Sequence, residues 1–282
     1  MAKNFSSATG PIQFKPTNDI LFRMLWQRNN EVLKAFIASI LGMPRESIRS
    51  VHIENIVELG PDFDAKTFYL DTLVTFNDGA QMNIEMQVQN KGNWPERSTG
   101  YLARTYDSLN KGEDYIKTKP TYQVGILGFT LFPEHPKFFA TYSLMDIETK
   151  EIFNDKFVLF VLDLKQIDIA TETDKQHGRD IWARLFRATT WEELHMIANI
   201  DPIYESAANT IYELNQDRFV RDAIIAYEAR ERHIKETIAE KDETIAKKDA
   251  TIAEMGSTIA QKDAVIAEKD AIIATLMQEH KP

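Results

Sequence analysis

Apolar and polar positions follow different periods along this chain, and the change between them divides it. Ile238, Ile245, Ile252, Ile259, Ile266 and Ile273 recur at a strict interval of seven, the heptad period of a supercoiled helix. With the isoleucines at a, the d column reads Lys241, Lys248, Met255, Lys262, Lys269 and Leu276; with them at d, the a column is mostly Asp. The first register is the better one, because a lysine stem can lie along the seam and send its ammonium to water. Gly256 interrupts one repeat at a cost of about 1 kcal/mol of helix propensity. The spacing predicts a continuous helix from about Asp222 to about Met277. Its heptads, over residues 233–280, form either an oligomerising coiled coil or a solvated single helix.

Upstream, residues 177–232 carry helical spacings such as Ile181, Leu185, Phe186 and Ile211, Leu214, and Asp201 with Pro202 looks like an N-cap and first-turn pair. The polar stretch 167–178 is expected to be a linker. Before it, the elements mix. Thr17 or Asn18 caps a predicted helix through Trp26, and a second runs from about Asn30 to Gly42. Alternating or apolar runs at 51–58, 66–76, 80–89, 121–129 and 156–164 read as strands, with a helix from about Glu96 to Asn110 among them. This order predicts an α/β or α+β core with a central mixed sheet over residues 11–166.

Composition narrows the class. With 43% hydrophobic and 27% charged residues, the chain is an ordinary globular one. It has no Cys, which excludes disulfides and thiolate metal sites. No apolar run is long enough for a membrane span and the first residues carry no signal-like core, so a cytoplasmic protein without membrane attachment is expected. The formal charge of -10 argues against a surface that is basic throughout, but not against one local basic cleft. Phosphate-loop, G-x-S-x-G and H-E-x-x-H patterns are absent, and the 6 His are scattered without ligand spacing.

The candidate chemistry lies in FYLDTLVTFNDGAQMNIEMQVQ. A two-residue Asp78, Gly79 turn would mix polar and apolar partners on both faces. A three-residue loop, Asn77 to Gly79 with Gly79 left-handed, instead sets Phe68, Leu70, Val74 and Phe76 against Val88, Met86, Met82 and Ala80. A one-residue slip flips every side chain, so the apolar pattern selects the second register. That register puts Asp71 opposite Glu85, with Gln87 on the same face. Opposed carboxylates repel unless a divalent cation with oxygen ligands, such as magnesium, lies between them or the face is a solvated edge. Arg97, Tyr101 and Arg104, at i, i+4 and i+7 on the following helix, could meet a phosphate backbone or form a solvated face.

Taken together, KPTNDILFRMLW, the hairpin string and RSTGYLARTYDSLNKGEDYIKTKPTYQVGILGFTLFP resemble the Rpn family of recombination-promoting nucleases, the PD-(D/E)XK nuclease family transposases. The resemblance runs from about Phe14 to Leu164, with residues up to about Arg232 like the family's variable C-terminal part. It implies a restriction-endonuclease-like core, a central mixed sheet flanked by helices, to which the sequence pattern adds the helical region and the C-terminal coiled coil. It implies a magnesium-dependent DNA endonuclease, with manganese as an alternative ion, acting in recombination or transposition. Asp71 and Glu85 would bind metal, with Asp19 as accessory ligand or plain helix cap. Gln87 stands where the wider superfamily has Lys, and Lys66 is a candidate for the missing charge. The expected partners are DNA and further copies of the chain. The competing reading is an inactive relative that acts as an oligomeric interaction module.

Overall fold

In a computed structural model that describes residues 4–54, 72–107 and 114–279, the first helix, α1 (Asp19–Arg28), starts where the Asn18 side chain accepts hydrogen bonds from the amides of Ile20 and Leu21. Such a cap stabilises a helix start by about 1 kcal/mol. Helix α2 (Asn30–Leu41) follows directly, capped by Asn29 and ended at Gly42, as the sequence pattern predicts.

Six strands form one sheet: β1 (Val51–Ile53), β2 (Thr72–Phe76), β3 (Ala80–Gln87), β4 (Thr121–Leu127), β5 (Phe139–Met145) and β6 (Ile152–Asp163), in the order β1-β2-β3-β4-β6-β5. β3 pairs in parallel with β4, and β4 with β6, while the other neighbours are antiparallel. The sheet is therefore mixed, with helix α3 (Trp94–Tyr106) connecting β3 to β4. β5 escapes the sequence pattern for a physical reason. It is an edge strand in which Ala140 alone is buried, so no alternation marks it.

One face of the sheet carries Val74, Met82, Ile84, Val124 and Ile126, all with no exposed surface. On that side Arg179 sits 3.8 Å above the Phe139 ring. Its guanidinium donates to the carbonyls of Ser39 and Ile40 and to Asp174 Oδ1, at 3.1, 3.1 and 3.0 Å. It thus adds side-chain donors to carbonyls in the last turn of α2, where the helix ladder runs out. Beyond it, Phe22, Trp26, Phe36, Trp182 and Phe186 pack edge to face and stacked into an aromatic core.

The stretch expected to be a linker is structured. A 3-10 turn (Leu164–Ile169) leads into α4 (Glu172–Gln176), where Thr171 and Asp174 form a reciprocal capping box. The polar residues that suggested a linker are instead caps and the buried Asp174 and Arg179 ion pair. Helices α5 (Arg179–Arg187), α6 (Trp191–Ala198) and α7 (Pro202–Gln216) follow, α7 starting at Asp201 and Pro202 as predicted. Helix α8 (Arg218–Glu279) is continuous for 62 residues. The chain divides into two compact units, Met1–Ala226 and Tyr227–Pro282. Among the described residues no helix is long and apolar enough to cross a membrane.

Candidate functional site

The β2–β3 hairpin adopts the register that the apolar pattern selects. Phe76 pairs with Ala80, Val74 with Met82 and Thr72 with Ile84. Its loop has three residues, and Gly79 has a φ of 95°, as expected. Asn77 is left-handed as well, with a φ of 47°. Its side chain holds that conformation, because Oδ1 accepts from the Arg49 amide at 2.8 Å and Nδ2 donates to the Ser47 carbonyl at 2.8 Å. Lys66, Phe68, Leu70 and Asp71 lie outside the described residues.

Alternation along β3 sets Met82, Ile84 and Met86 on one face and Asn83, Glu85 and Gln87 on the other. All three polar residues are buried, Glu85 to 1% exposure and Gln87 to 6%. An isolated carboxylate in such a place costs several kcal/mol. Glu85 is compensated by Arg97, whose Nη2 stands 2.6 Å from Oε1. Asn83 donates to Gln123 Oε1 across the parallel β3–β4 pair at 3.0 Å. Gln87 Nε2 donates to the Gln89 carbonyl at 2.9 Å, while Gln87 Oε1 is buried with no hydrogen-bond partner among the described residues.

Gly125 makes the Arg97 contact geometrically accessible. It is the register partner of Glu85 on β4, and a Cβ built on it would lie 2.0 Å from Trp94 Cζ2. Only a residue without a side chain lets the indole lie flat on the strand, where it packs with Leu127, Phe129, Ala140 and Val161. The first turn of α3 then sits against the sheet, and Arg97, one turn past Trp94, reaches Glu85. Tyr101 lies beneath the Arg97 guanidinium, 5.4 Å from ring centroid to Cζ. Arg104 is exposed. The Arg97 side chain is therefore engaged inside the fold with Glu85 and Tyr101, while Arg104 faces solvent.

Asp163, at the end of β6 and aligned with Leu127 of β4, adds a second buried carboxylate to this face. Burial pushes its carboxyl above the usual value, against hydrogen bonds from the Lys165 amide and the Thr130 hydroxyl that pull it down. At the start of α1 the cap is Asn18, and Asp19, half-buried, contributes its charge to the first turn.

A family model described as PD-(D/E)XK nuclease family transposase matches residues 16–244. The chain belongs to this family. No curated protein and no solved structure matches it. The mixed sheet flanked by helices is the restriction-endonuclease-like core that membership in the PD-(D/E)XK transposase family implies, and a helical region follows it.

Among the described residues no group of three or more His, Asp or Glu stands close enough to hold a metal ion. Donors on this face include the Glu85 and Asp163 carboxylates and Gln87 Oε1, hard oxygens that fit magnesium or manganese in kind. The pairing of Arg97 with Glu85 could not be read from helix spacing, which shows only that Arg97, Tyr101 and Arg104 share a face. Gly125 was the available signal, since a glycine inside a strand marks a close approach.

Proposed function

We propose that this member of the PD-(D/E)XK transposase family is a divalent-metal-dependent DNA endonuclease that uses Asp71 and Glu85 as its two metal-binding carboxylates. The observation that carries the reading is the hairpin register. The register is observed up to the Thr72 and Ile84 pair, and the apolar pattern of the sequence expects Asp71 and Glu85 as the next pair, on the face of Gln87. A bound magnesium or manganese ion supplies Lewis-acid stabilisation of the scissile phosphate and a water acidic enough to attack near neutral pH. The carbonyl oxygen of Gln87, buried with no hydrogen-bond partner among the described residues, would orient that water by accepting a hydrogen bond from it. With an ion held at Glu85, Arg97 would no longer be needed to neutralise that carboxylate and, together with Tyr101 and Arg104, would steady the flanking phosphate. Lys66 is the candidate for additional positive charge, and Asp19 for an accessory ligand.

The test is cleavage of plasmid and single-stranded DNA with each metal. Wild type cuts, Asp71→Ala and Glu85→Ala do not, Gln87→Ala is slower and Gln87→Lys retains or gains activity. Variants that cut as well as wild type overturn the site assignment.

One observation favours the alternative, an inactive relative kept as an interaction module: the closed Glu85 and Arg97 ion pair occupies the carboxylate a metal needs. Absence of cleavage with either metal on either substrate would select it. In both readings the chain self-associates through the isoleucine column of α8. Deleting residues 236–282 then lowers the solution mass to that of one chain, and an unchanged oligomer refutes this.

A further inference from the structure

Within the second unit, α8 presents Ile238, Ile245, Ile252, Ile259, Ile266 and Ile273 at 51 to 65% exposure. Beside this column run two columns of opposite charge. With isoleucine at a, the d positions hold Lys241, Lys248, Lys262 and Lys269, and the next positions, e, hold Asp242, Asp249, Asp263 and Asp270. Side chains on a helix meet at i±3 and i±4, not at i±1. At those offsets each of these lysines finds only Ile, Val or Thr, and each aspartate only Ile or Ala. None of the eight is in an ion pair among the described residues, whereas Glu243 at f and Lys247 at c pair along the helix at 2.6 Å. The threonines at g need no outside partner either, since the hydroxyls of Thr244, Thr251 and Thr258 donate to the carbonyls four residues back.

The two charged columns also change together. Where d is Met255, e is Gly256, and where d is Leu276, e is Met277, so no heptad from 238 onward has one charge without the other. A helix that only needed solvation would not couple them.

We propose that α8 pairs with α8 of a second copy of this chain as a two-stranded, parallel, in-register coiled coil in which each d lysine meets the partner's e aspartate of the same heptad. This rests on the self-association reading above and adds its orientation and order. In a parallel coil a d side chain packs into a hole that includes the facing e residue. Antiparallel strands would instead flank the seam with e against e, setting aspartate against aspartate. Parallel pairing also matches the apolar end, Val265, Ile272, Ile273, Leu276 and Met277, with itself rather than with Lys241 and Lys248. Two strands rather than three or four suit lysine at d, because the smallest seam leaves the ammonium closest to water.

The chain has no Cys, so Ile238→Cys and Ile273→Cys each give full-length protein with a single thiol. Under a glutathione redox buffer each variant alone is expected to form a disulfide-linked dimer, and wild type to scatter light with twice the 32.4 kDa chain mass. Linkage only in a mixture of Ile238→Cys with Leu276→Cys, and in neither alone, overturns the parallel orientation while sparing self-association. A single-chain mass for wild type overturns both, and a three- or four-chain mass overturns the pair. Charge is tested by replacing the four d lysines with Asp in one variant and the four e aspartates with Lys in another. Each alone is expected to run as a single chain and their equimolar mixture as two. A mixture that stays at one chain while wild type pairs refutes the lysine and aspartate match.

Discussion

Replacing Gly125 by alanine probes the packing that brings α3 onto the sheet and Arg97 onto Glu85. The new Cβ would stand 2.0 Å from Trp94 Cζ2, 2.8 Å from Cη2 and 2.9 Å from Cε2. Carbon atoms in ordinary contact are about 3.5 Å apart, so the indole must retreat by about 1.5 Å. It has little room to do so, because Trp94 is 1% exposed and Leu127 beside it has no exposed surface. Overpacking of this kind sits at the upper end of its usual range, about 3 kcal/mol. A movement of that size transmitted along α3 would also stretch the 2.6 Å Arg97 and Glu85 contact past hydrogen-bond reach. In a urea titration, with a slope of about 3 kcal/mol per molar, the midpoint should fall by about 1 M. Trp94→Leu removes the obstructing ring and destabilises by itself through the cavity it leaves. In the Gly125→Ala, Trp94→Leu double variant the two losses should fall short of their sum by about 1 kcal/mol or more, since the alanine then occupies part of that cavity. A Gly125→Ala protein with an unchanged midpoint, or strictly additive losses, would refute the close approach of Trp94 to β4.

Gly79→Ala meets only ordinary contacts, the nearest being Lys119 side-chain carbons at 3.6 Å, so its cost is the left-handed backbone alone, about 1 to 2 kcal/mol; a larger loss by denaturant titration would mean the loop is packed more tightly than this. Arg97→Ala leaves Glu85 buried without its cation and should destabilise the protein by about 3 kcal/mol in chelator. Because the guanidinium no longer competes with an ion for Glu85, manganese should raise the melting temperature of Arg97→Ala more than that of wild type, and equal shifts would separate Glu85 from metal binding. Burial pushes the Asp174 carboxyl up, but hydrogen bonds from the Thr171 hydroxyl and amide and from Arg179 outweigh it and hold the carboxyl below its ordinary value. Its stabilisation is thus complete above the ordinary carboxylate range and disappears as pH falls through the lowered value, so the acid loss of stability should be shallower in Asp174→Asn than in wild type.

What could be read from the sequence depended on whether a residue's neighbours along the chain determine its environment. Asn18, Gly42 and Asp201 end or begin helices by contacts within a few residues, and all three were legible. The hairpin register was legible too, because Phe76, Val74 and Met82 had one apolar arrangement. Asp174 was not, since its role depends on Arg179 reaching back to carbonyls of α2, some 140 residues away in sequence. β5 was missed because an exposed edge strand needs no pattern.

The candidate site sits between these cases. Its polar residues on β3 follow from strand alternation, but their burial comes from α3, whose approach depends on Gly125. The family resemblance read from the sequence implies a lysine at the position of Gln87, and Lys66 was the sequence-based candidate for the charge that an amide lacks. In the fold, a positive charge stands beside Glu85 from another element altogether: Arg97 of α3, 2.6 Å away. A lysine introduced at 87 would share that face with the Arg97 guanidinium and with the buried carboxylates Glu85 and Asp163, a balance of charge compatible with the activity expected of Gln87→Lys. Arg97, carried on the helix whose approach Gly125 admits, thus supplies on this face a positive charge that Gln87, an amide, does not.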